Sequence, residues 1–567
     1  MAKLKEIGAQ EGSDPAIAFE QFVEGVRAAL ARIVITPLLD RMEGLFERWG
    51  KRTALISWFL VLVVSCTVMS TLSDYGVTID EPAYFAAGRS YLGWLSSPLL
   101  STIDQYWSVN HEHPPLTMVM GGLTNALFNE HLGWFHEYVA YRISLLAFIV
   151  PMTLAFFSFA RSLLGVWPAL FVSLALMFHP HFFFYAHIGA SDYAITAMWF
   201  VTAYALWRSE ESFRWLFLAS IALGVTLLTK INGLSLYAIV AVVLLIHLAR
   251  NYQRHRGEMR ARQLALRYAL LQAVILTAIP ILIFYACWPW LWPSPVDRTW
   301  SYVAFFAQHY EISTYYFGTQ YFAPPWHLPP VLTLLTTPTL IVVLFVVGLF
   351  SKALPTKARI FVFANFVLAL GVISLSGTKH DGIRLFLPAI PFLYLIAGSG
   401  LVTSYRYLGA QSQGWKRARH IPFIFSALVV VLMGLTIVQS VIRYYPYQTA
   451  YFNEIVGGDR GAAAHGLEYE FLCGSFIDTL KWLDRHSEST FWVPLEGGLY
   501  DYYYSTGLMT KKLNVADQAG SQYLILPSRF GFFTATLWKY FKNETPVFSV
   551  RAYKENVVNI YALRPTD

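Results

Sequence analysis

Charge is scarce in this chain. Of 567 residues only 14% are Asp, Glu, Lys or Arg, while 56% are hydrophobic and the mean hydropathy is +0.45. A water-soluble protein of this length carries far more charge, so a soluble class is excluded. Cysteine is scarcer still. Cys66, Cys287 and Cys473 lie far apart and Cys66 sits in an apolar run, which argues against a disulfide framework or a cysteine metal motif. No cleavable signal peptide is visible: the first apolar run starts near residue 54, too late for one and long enough to stay as an anchor. No internal repeat is apparent. The net charge of +7 is what basic loops beside a membrane produce, and it does not point to nucleic acid.

What is abundant is apolar sequence in runs near the ~20 residues needed to cross a bilayer, with Tyr, Phe and Trp near many run ends. This is the pattern of a polytopic α-helical membrane protein. Eleven spans are expected, at about 54–72, 137–160, 164–179, 193–207, 214–229, 233–249, 266–287, 331–350, 360–376, 385–403 and 421–441. Basic residues alternate between loops: Arg161, Arg208 to Arg214, Arg250 to Arg267, Lys352 to Arg359 and Arg406 to Arg419 fall on one side with the basic N-terminus. The other side holds few, among them Arg89, Lys230, Arg298, Lys379 and Arg384. The positive-inside rule then places the N-terminus in the cytoplasm. Residues 1–53 form a cytoplasmic segment with an amphipathic stretch over 16–50, expected to lie on the inner leaflet or against the bundle. Residues 54–441 form the transmembrane domain, with outside loops at 73–136, 179–192, 288–330 and 377–384. Residues 442–567 read as a small outside α/β domain with strand-like runs at Gln522 to Leu526 and Val547 to Arg551.

The chemistry-bearing residues cluster in the outside loops. Asp80-Glu81-Pro82 follows the first span. Its ordinary reading is a helix start, with Asp80 as cap, but that accounts for only one of two acids at a membrane exit. Asp192 opens the fourth span after His179-Pro-His181 and His187, and an ionisable group at a span edge is a functional candidate. His111-Glu112-His113 precedes Pro114-Pro115. His111 and Glu112 are candidate metal ligands, though consecutive residues cannot all face one ion, so a partner from elsewhere is required. Lys230, Lys379, His380 and Arg384 lie on the side poor in basic residues. They are better explained as an anion site, suited to phosphate, than as snorkelling anchors. Trp288, Trp290 and Trp292, continuing to Tyr315, read as an interfacial belt that could also grip an isoprenoid tail or stack on sugar rings.

Taken in order, these motifs resemble the GT-C glycosyltransferases. They are the Asp-Glu after the first span, the His-Pro-Pro before the second, the Asp opening the fourth, Leu-Thr-Lys-x-x-Gly from Leu228 to Gly233, the Trp-Pro-Trp-Leu-Trp loop and Arg-x-x-x-Pro-x-x-Pro from Arg384 to Pro391. Within that fold the likeness is to protein O-mannosyltransferases and lipid A aminoarabinose transferases, over roughly 54–475. It includes Tyr451-Phe-Asn-Glu454. The resemblance implies an inverting transfer of a sugar from a polyprenyl-phosphate donor to an acceptor hydroxyl outside the cytoplasm, in a bacterial cytoplasmic membrane. The acceptor would be a lipid, a glycan or a protein. By the same resemblance Asp80 is the general base, Asp192, Glu81 and His187 bind acceptor or sugar, and Lys379, His380, Arg384, His113 and Lys230 bind the donor phosphate. No cofactor is required, with a divalent metal at His111 and Glu112 left open. His113 stands where aminoarabinose transferases often carry Lys. A different GT-C enzyme, an oligosaccharyltransferase, would carry Trp-Trp-Asp-Tyr-Gly, which is absent. A lipid-linked sugar transporter is the alternative from another class.

Overall fold

A computed structural model describes residues 52–254, 259–308, 311–375, 379–411 and 421–563. The amphipathic stretch expected over 16–50 lies outside them. Helix covers all eleven expected span positions. Among the described residues six segments are long and apolar enough to cross a bilayer: Thr53–Asp74, Glu137–Leu164, Ile231–Arg250, Arg262–Ala286, Thr356–Leu375 and Arg384–Gln411. Shorter apolar helices at Val166–Met177, Phe213–Leu227, Thr339–Leu349 and Ala427–Ile442 accompany them. The molecule is thus a polytopic helical membrane protein with a small C-terminal sheet.

The helices that matter for the site are α1 (Thr53–Thr71), α2 (Glu81–Ser96), α3 (Leu116–Asn125), α4 (Leu146–Leu164), α5 (Ser191–Arg208), α6 (Phe213–Leu227), α7 (Thr339–Leu349) and α8 (Ile390–Gln411). α5 is buried along nearly its whole length among α4, α6 and the turn before α8. α7 and α8 touch backbone to backbone. A Cβ on Gly348 would sit 2.0 Å from the Ile396 carbonyl oxygen, and one on Gly400 would sit 2.0 Å from that of Leu344. Small residues at such a crossing allow close helix packing where the hydrophobic effect gives none.

One expected span is not a single helix. The stretch 331–350 divides into Leu328–Thr336 and α7, because Pro338 has no N–H to continue the ladder. The freed carbonyls are taken up from a distance: Asn453 Nδ2 donates to Leu334 O at 2.6 Å and Thr337 O at 2.7 Å, and Asn453 N to Leu335 O at 2.8 Å. Glu454 accepts from the Thr339 hydroxyl. The Tyr-Phe-Asn-Glu segment therefore satisfies a broken helix at depth.

Past the last apolar helix the chain builds a mixed sheet from β3 (Thr490–Trp492), β4 (Asn514–Val515), β5 (Tyr523–Pro527), β6 (Phe548–Ala552) and β7 (Glu555–Ala562), in the order β4-β3-β5-β7-β6. A separate hairpin, β1 (Thr314–Tyr316) and β2 (Thr319–Tyr321), rises from the 288–330 loop. Central β5 is buried on both faces, as its run Tyr-Leu-Ile-Leu suggests. The C-terminal region packs against the loop that precedes Asp80. Val77 N donates to Tyr503 Oη at 3.0 Å, Ile79 N donates to Leu472 O at 3.1 Å, and Gly76 lies so near the Gly474 carbonyl that a Cβ would overlap it.

Candidate active site

Asp80 begins α2 but does not cap it. Its backbone is already helical and its side chain makes no cap bond. Glu81 instead ties the turn before the helix: Oε2 accepts from Thr78 N at 2.8 Å and Thr78 Oγ1 at 3.1 Å. Glu81 is fully buried, and its carboxylate also receives Arg142 Nε (2.7 Å), Arg142 Nη2 (2.6 Å) and Gly189 N (2.6 Å). Arg142 in turn donates to the carbonyls of Leu72, Tyr75 and Gly76. With both oxygens committed to the protein, Glu81 cannot bind a sugar, and the expectation that it does is corrected. It is one half of a clamp that fixes the Asp80 loop.

The Asp80 carboxylate, partly exposed, faces Arg384, with Oδ2 2.7 Å from Nη2. Arg384 sits in the 3-10 turn that leads into α8 and is approached by two further carboxylates. Asp381 Oδ2 lies 2.9 Å from Nη1 and Asp192 Oδ2 lies 3.5 Å from Nε. Nε itself completes no hydrogen bond although it is buried. Asp192, in the first turn of α5, pairs through Oδ1 with Lys230 Nζ at 2.6 Å, both buried. Four separate chain segments thus converge on one buried ionic cluster, and the sequence candidates Asp80, Asp192, Lys230 and Arg384 all belong to it.

The remaining candidates divide. His113 Nδ1 meets Asn110 Oδ1 at 2.9 Å. Burial, with Lys230 and Arg384 nearby, pushes its pKa down to about 4. That direction favours an uncharged imidazole, which can still donate one hydrogen bond to a phosphate oxygen. Lys379 Nζ donates to Pro324 O at 2.9 Å, and burial lowers its pKa. His380 Nδ1 lies 2.7 Å from Asp381 Oδ2. His187 has both ring nitrogens engaged, with Thr71 Oγ1 at 2.8 Å and Phe183 O at 2.7 Å, and it stacks on Tyr75. It is a packed core histidine, against the expectation that it binds sugar.

Trp288 is buried against Phe284 and Tyr302, Trp290 beneath Arg298, and Trp292 is exposed with Nε1 donating to Tyr285 O at 2.7 Å. Tyr315, expected to line a lipid or sugar site, packs on Phe530 and Trp538 of the C-terminal region and so joins the two parts of the protein. His111 Nδ1 is satisfied by Ser108 O at 2.8 Å and stands 3.9 Å from Glu112 Oε1. Among the described residues no three His, Cys, Asp or Glu side chains come together to hold a metal ion.

Three residues that sequence reasoning passed over complete the picture. Arg142 carried a signal, a lone cation inside an apolar span. Asp381 stood inside the Gly-Thr-Lys-His-Asp-Gly loop but was outweighed by its cationic neighbours. Burial tends to raise its pKa, yet His380, Arg384 and Arg529 hold it below the usual carboxylate range. Arg529, just past β5, reaches Asp381 Oδ1 at 3.7 Å and also pairs with Glu496. No motif marked it.

Comparison with known proteins adds a family match over part of the chain and a set of distant likenesses. The solved structure of ArnT from Cupriavidus metallidurans in the apo state is 16% identical, with a TM-score of 0.47 over 90% of this chain and 98% of that one. Its form bound to undecaprenyl phosphate gives 16% and 0.45 over the same shares. The Archaeoglobus fulgidus oligosaccharyltransferase tethered with an acceptor peptide gives 11% and 0.40, over 79% of this chain and 58% of that one. No curated protein matches. Residues 123–291, from the end of α3 to the tryptophan loop, match the family model described as dolichyl-phosphate-mannose-protein mannosyltransferase, so this stretch carries the pattern of a glycosyltransferase family that the chain's motifs also resemble.

Proposed function

We propose that this protein is an inverting glycosyltransferase that moves a sugar from a polyprenyl-phosphate donor to an acceptor hydroxyl, outside the cytoplasm of a bacterial cell. The observation that carries the reading is the Asp80–Arg384 pair at 2.7 Å, within a buried cluster of opposed charges at one end of the helices. The description of the matched family, in which a dolichyl-phosphate sugar is the donor, supports the same reaction class.

The arrangement suits the chemistry. The acceptor oxygen attacks the anomeric carbon, the bond from that carbon to the phosphate oxygen breaks, and Asp80 takes the acceptor's proton. A carboxylate in that role contributes about 10²–10⁴ in rate. Charge develops on the departing polyprenyl phosphate, and a guanidinium is its natural partner because it can give parallel hydrogen bonds to two oxygens. Arg384 is the cation placed for this, with Lys230 beside it through Asp192. Phosphate and Asp80 compete for the same edge of Arg384. Donor binding would therefore release Asp80 from its ion pair and leave it available as a base only when a sugar is present. Asp192, buried between Lys230 and Arg384, would turn an oxygen toward an acceptor or sugar hydroxyl once the donor phosphate draws those cations away.

The orientation follows from where basic residues gather. At the opposite end of the helices Glu210 joins His247, Arg250 and Lys357, and Arg161 reaches Thr53. This is the cytoplasmic end under the positive-inside rule, which puts the cluster and the C-terminal sheet outside. The test uses purified protein in liposomes with a panel of polyprenyl-phosphate sugars and crude envelope extract as acceptor source. Release of polyprenyl phosphate from one donor supports the reading and names the sugar. Donor that crosses the bilayer without being cleaved would favour a transporter.

A further inference from the structure

The loop that carries Arg384 is held in an unfavourable shape. Asp381 has φ +54° and Gly382 has φ +65°, so two successive residues occupy the left-handed region, where a non-glycine residue is strained. Such a turn persists only where its surroundings enforce it. Those surroundings are mostly contributed by the C-terminal region and the hairpin bound to it. Phe471 lies against Gly382 so closely that a Cβ there would meet its ring at 2.5 Å. Thr314 Oγ1 donates to the Lys379 carbonyl at 2.8 Å. Arg529 reaches the Asp381 carboxylate.

Arg529 is itself fixed. The turn that follows it presents the carbonyls of Phe530, Gly531 and Phe533 to Gln320 Nε2, at 3.1, 3.3 and 2.8 Å, where they share its two N–H donors. Gly531 N donates to Glu468 Oε1 at 2.8 Å. The guanidinium carbon lies 4.2 Å from the centre of the Phe532 ring, and the side chain is buried. A chain of alternating charges therefore runs from the C-terminal region to the site: Glu496, Arg529, Asp381, Arg384, Asp80. Asp381 has two oxygens and divides them, Oδ1 toward Arg529 and Oδ2 toward Arg384 and His380. Without Arg529, Asp381 would be held through Oδ2 by Arg384 and His380, and the direction it gives the Arg384 Nη1 edge would loosen.

We propose that Arg529 is a positioning residue for the transfer reaction: through Asp381 it sets the direction of the Arg384 guanidinium, so that the C-terminal region completes the active site. This rests on the glycosyltransferase reading above. Arg529 acts through another side chain and is not itself placed to touch the sugar.

The experiment uses the full chain in liposomes, comparing wild type with Arg529→Gln, Arg529→Lys, Asp381→Asn and the Arg529→Gln/Asp381→Asn pair. Arg551→Gln, at the exposed position of β6, serves as control. Transfer rate at saturating donor, melting temperature and binding of a polyprenyl phosphate are read for each. The expected loss of rate is about 10- to 100-fold in Arg529→Gln, the scale of a small misplacement of a catalytic group. Asp381→Asn should match it, and the double variant should lose no more than either alone, because both break the same relay. Arg529→Lys, which keeps the charge but not the fork, should keep the melting temperature and recover only part of the rate. Wild-type rate in Arg529→Lys and Arg529→Gln, or losses that multiply in the double variant, would overturn the proposal while the functional reading stands. If the wild type binds polyprenyl phosphate but transfers no sugar, the functional reading fails and Arg529 is judged by binding: weaker binding in Arg529→Gln supports the relay, equal binding refutes it. A wild type that does neither removes both.

Discussion

Arg142 gives the sharpest structural prediction. Its guanidinium is wholly buried and donates five hydrogen bonds, two to Glu81 and one each to the carbonyls of Leu72, Tyr75 and Gly76. Arg142→Gln leaves the Glu81 carboxylate buried without its countercharge. Breaking one side of such a pair costs about 3–5 kcal/mol, far more than an exposed ion pair contributes. The variant should melt well below wild type in detergent and, because the clamp holds residues 72–81, should also transfer sugar more slowly. The companion variant Arg142→Met/Glu81→Leu removes both charges. Removing both charges lifts the penalty of the lone buried carboxylate, so part of the lost stability should return. Only part should return, since three carbonyls lose their donor, Thr78 N and Gly189 N lose their acceptor, and each unmet buried group costs about 1–3 kcal/mol. Unchanged melting in Arg142→Gln would refute the clamp. Full recovery in the double variant would refute the role given to the carbonyls.

Other outcomes follow from the same geometry. Burial, the main cause, pushes the carboxyls of Glu468 and Glu470 up to about 8 and about 7. The folded form then holds protons that the unfolded chain releases above about pH 4.3, so stability from these groups is present in acid and is lost as pH rises toward 8. Glu468→Gln/Glu470→Gln should melt above wild type at pH 8.5 and lose that advantage near pH 5; parallel melting curves across this range would contradict the assignment. Gly400→Val must displace the Leu344 carbonyl and should cost about 1–3 kcal/mol, seen as a lowered melting temperature, whereas Gly371→Ala, with open space around it, should not. Asn453→Leu removes the two side-chain bonds that satisfy the helix break at Pro338 and should destabilise by about 1–3 kcal/mol, with hydrogen exchange rising first over 328–337.

The spans were legible because apolar runs of bilayer length have few other uses, and the strand-like runs near 522 and 547 fall within a residue of β5 and β6. Four members of the ionic cluster, Asp80, Asp192, Lys230 and Arg384, were legible one at a time, as cations and acids where a membrane protein should have few, whereas Asp381 was not. Their pairing was not: 38 residues separate Lys230 from Asp192, and only the packing of α5 on α6 brings them together. Glu81 was misread because adjacency in sequence says little about direction at a helix start. One step along α2 turns the side chain about 100°, from Arg384 toward Arg142. His187 was misread because a polar side chain in a loop gives no sign of whether its own protein has already satisfied it. Arg529 lay in a region without motif, and its importance comes from what it touches.

Asp80 is the centre of the account, and the most direct test compares wild type with Asp80→Asn in liposomes supplied with the active donor and acceptor. The amide keeps the shape of the side chain and removes its ability to take a proton. The prediction is loss of polyprenyl phosphate release by about 10²–10⁴ with donor binding retained or strengthened, because Arg384 no longer shares its edge with a carboxylate. Release at the wild-type rate by Asp80→Asn would contradict the claim that this carboxylate is the base.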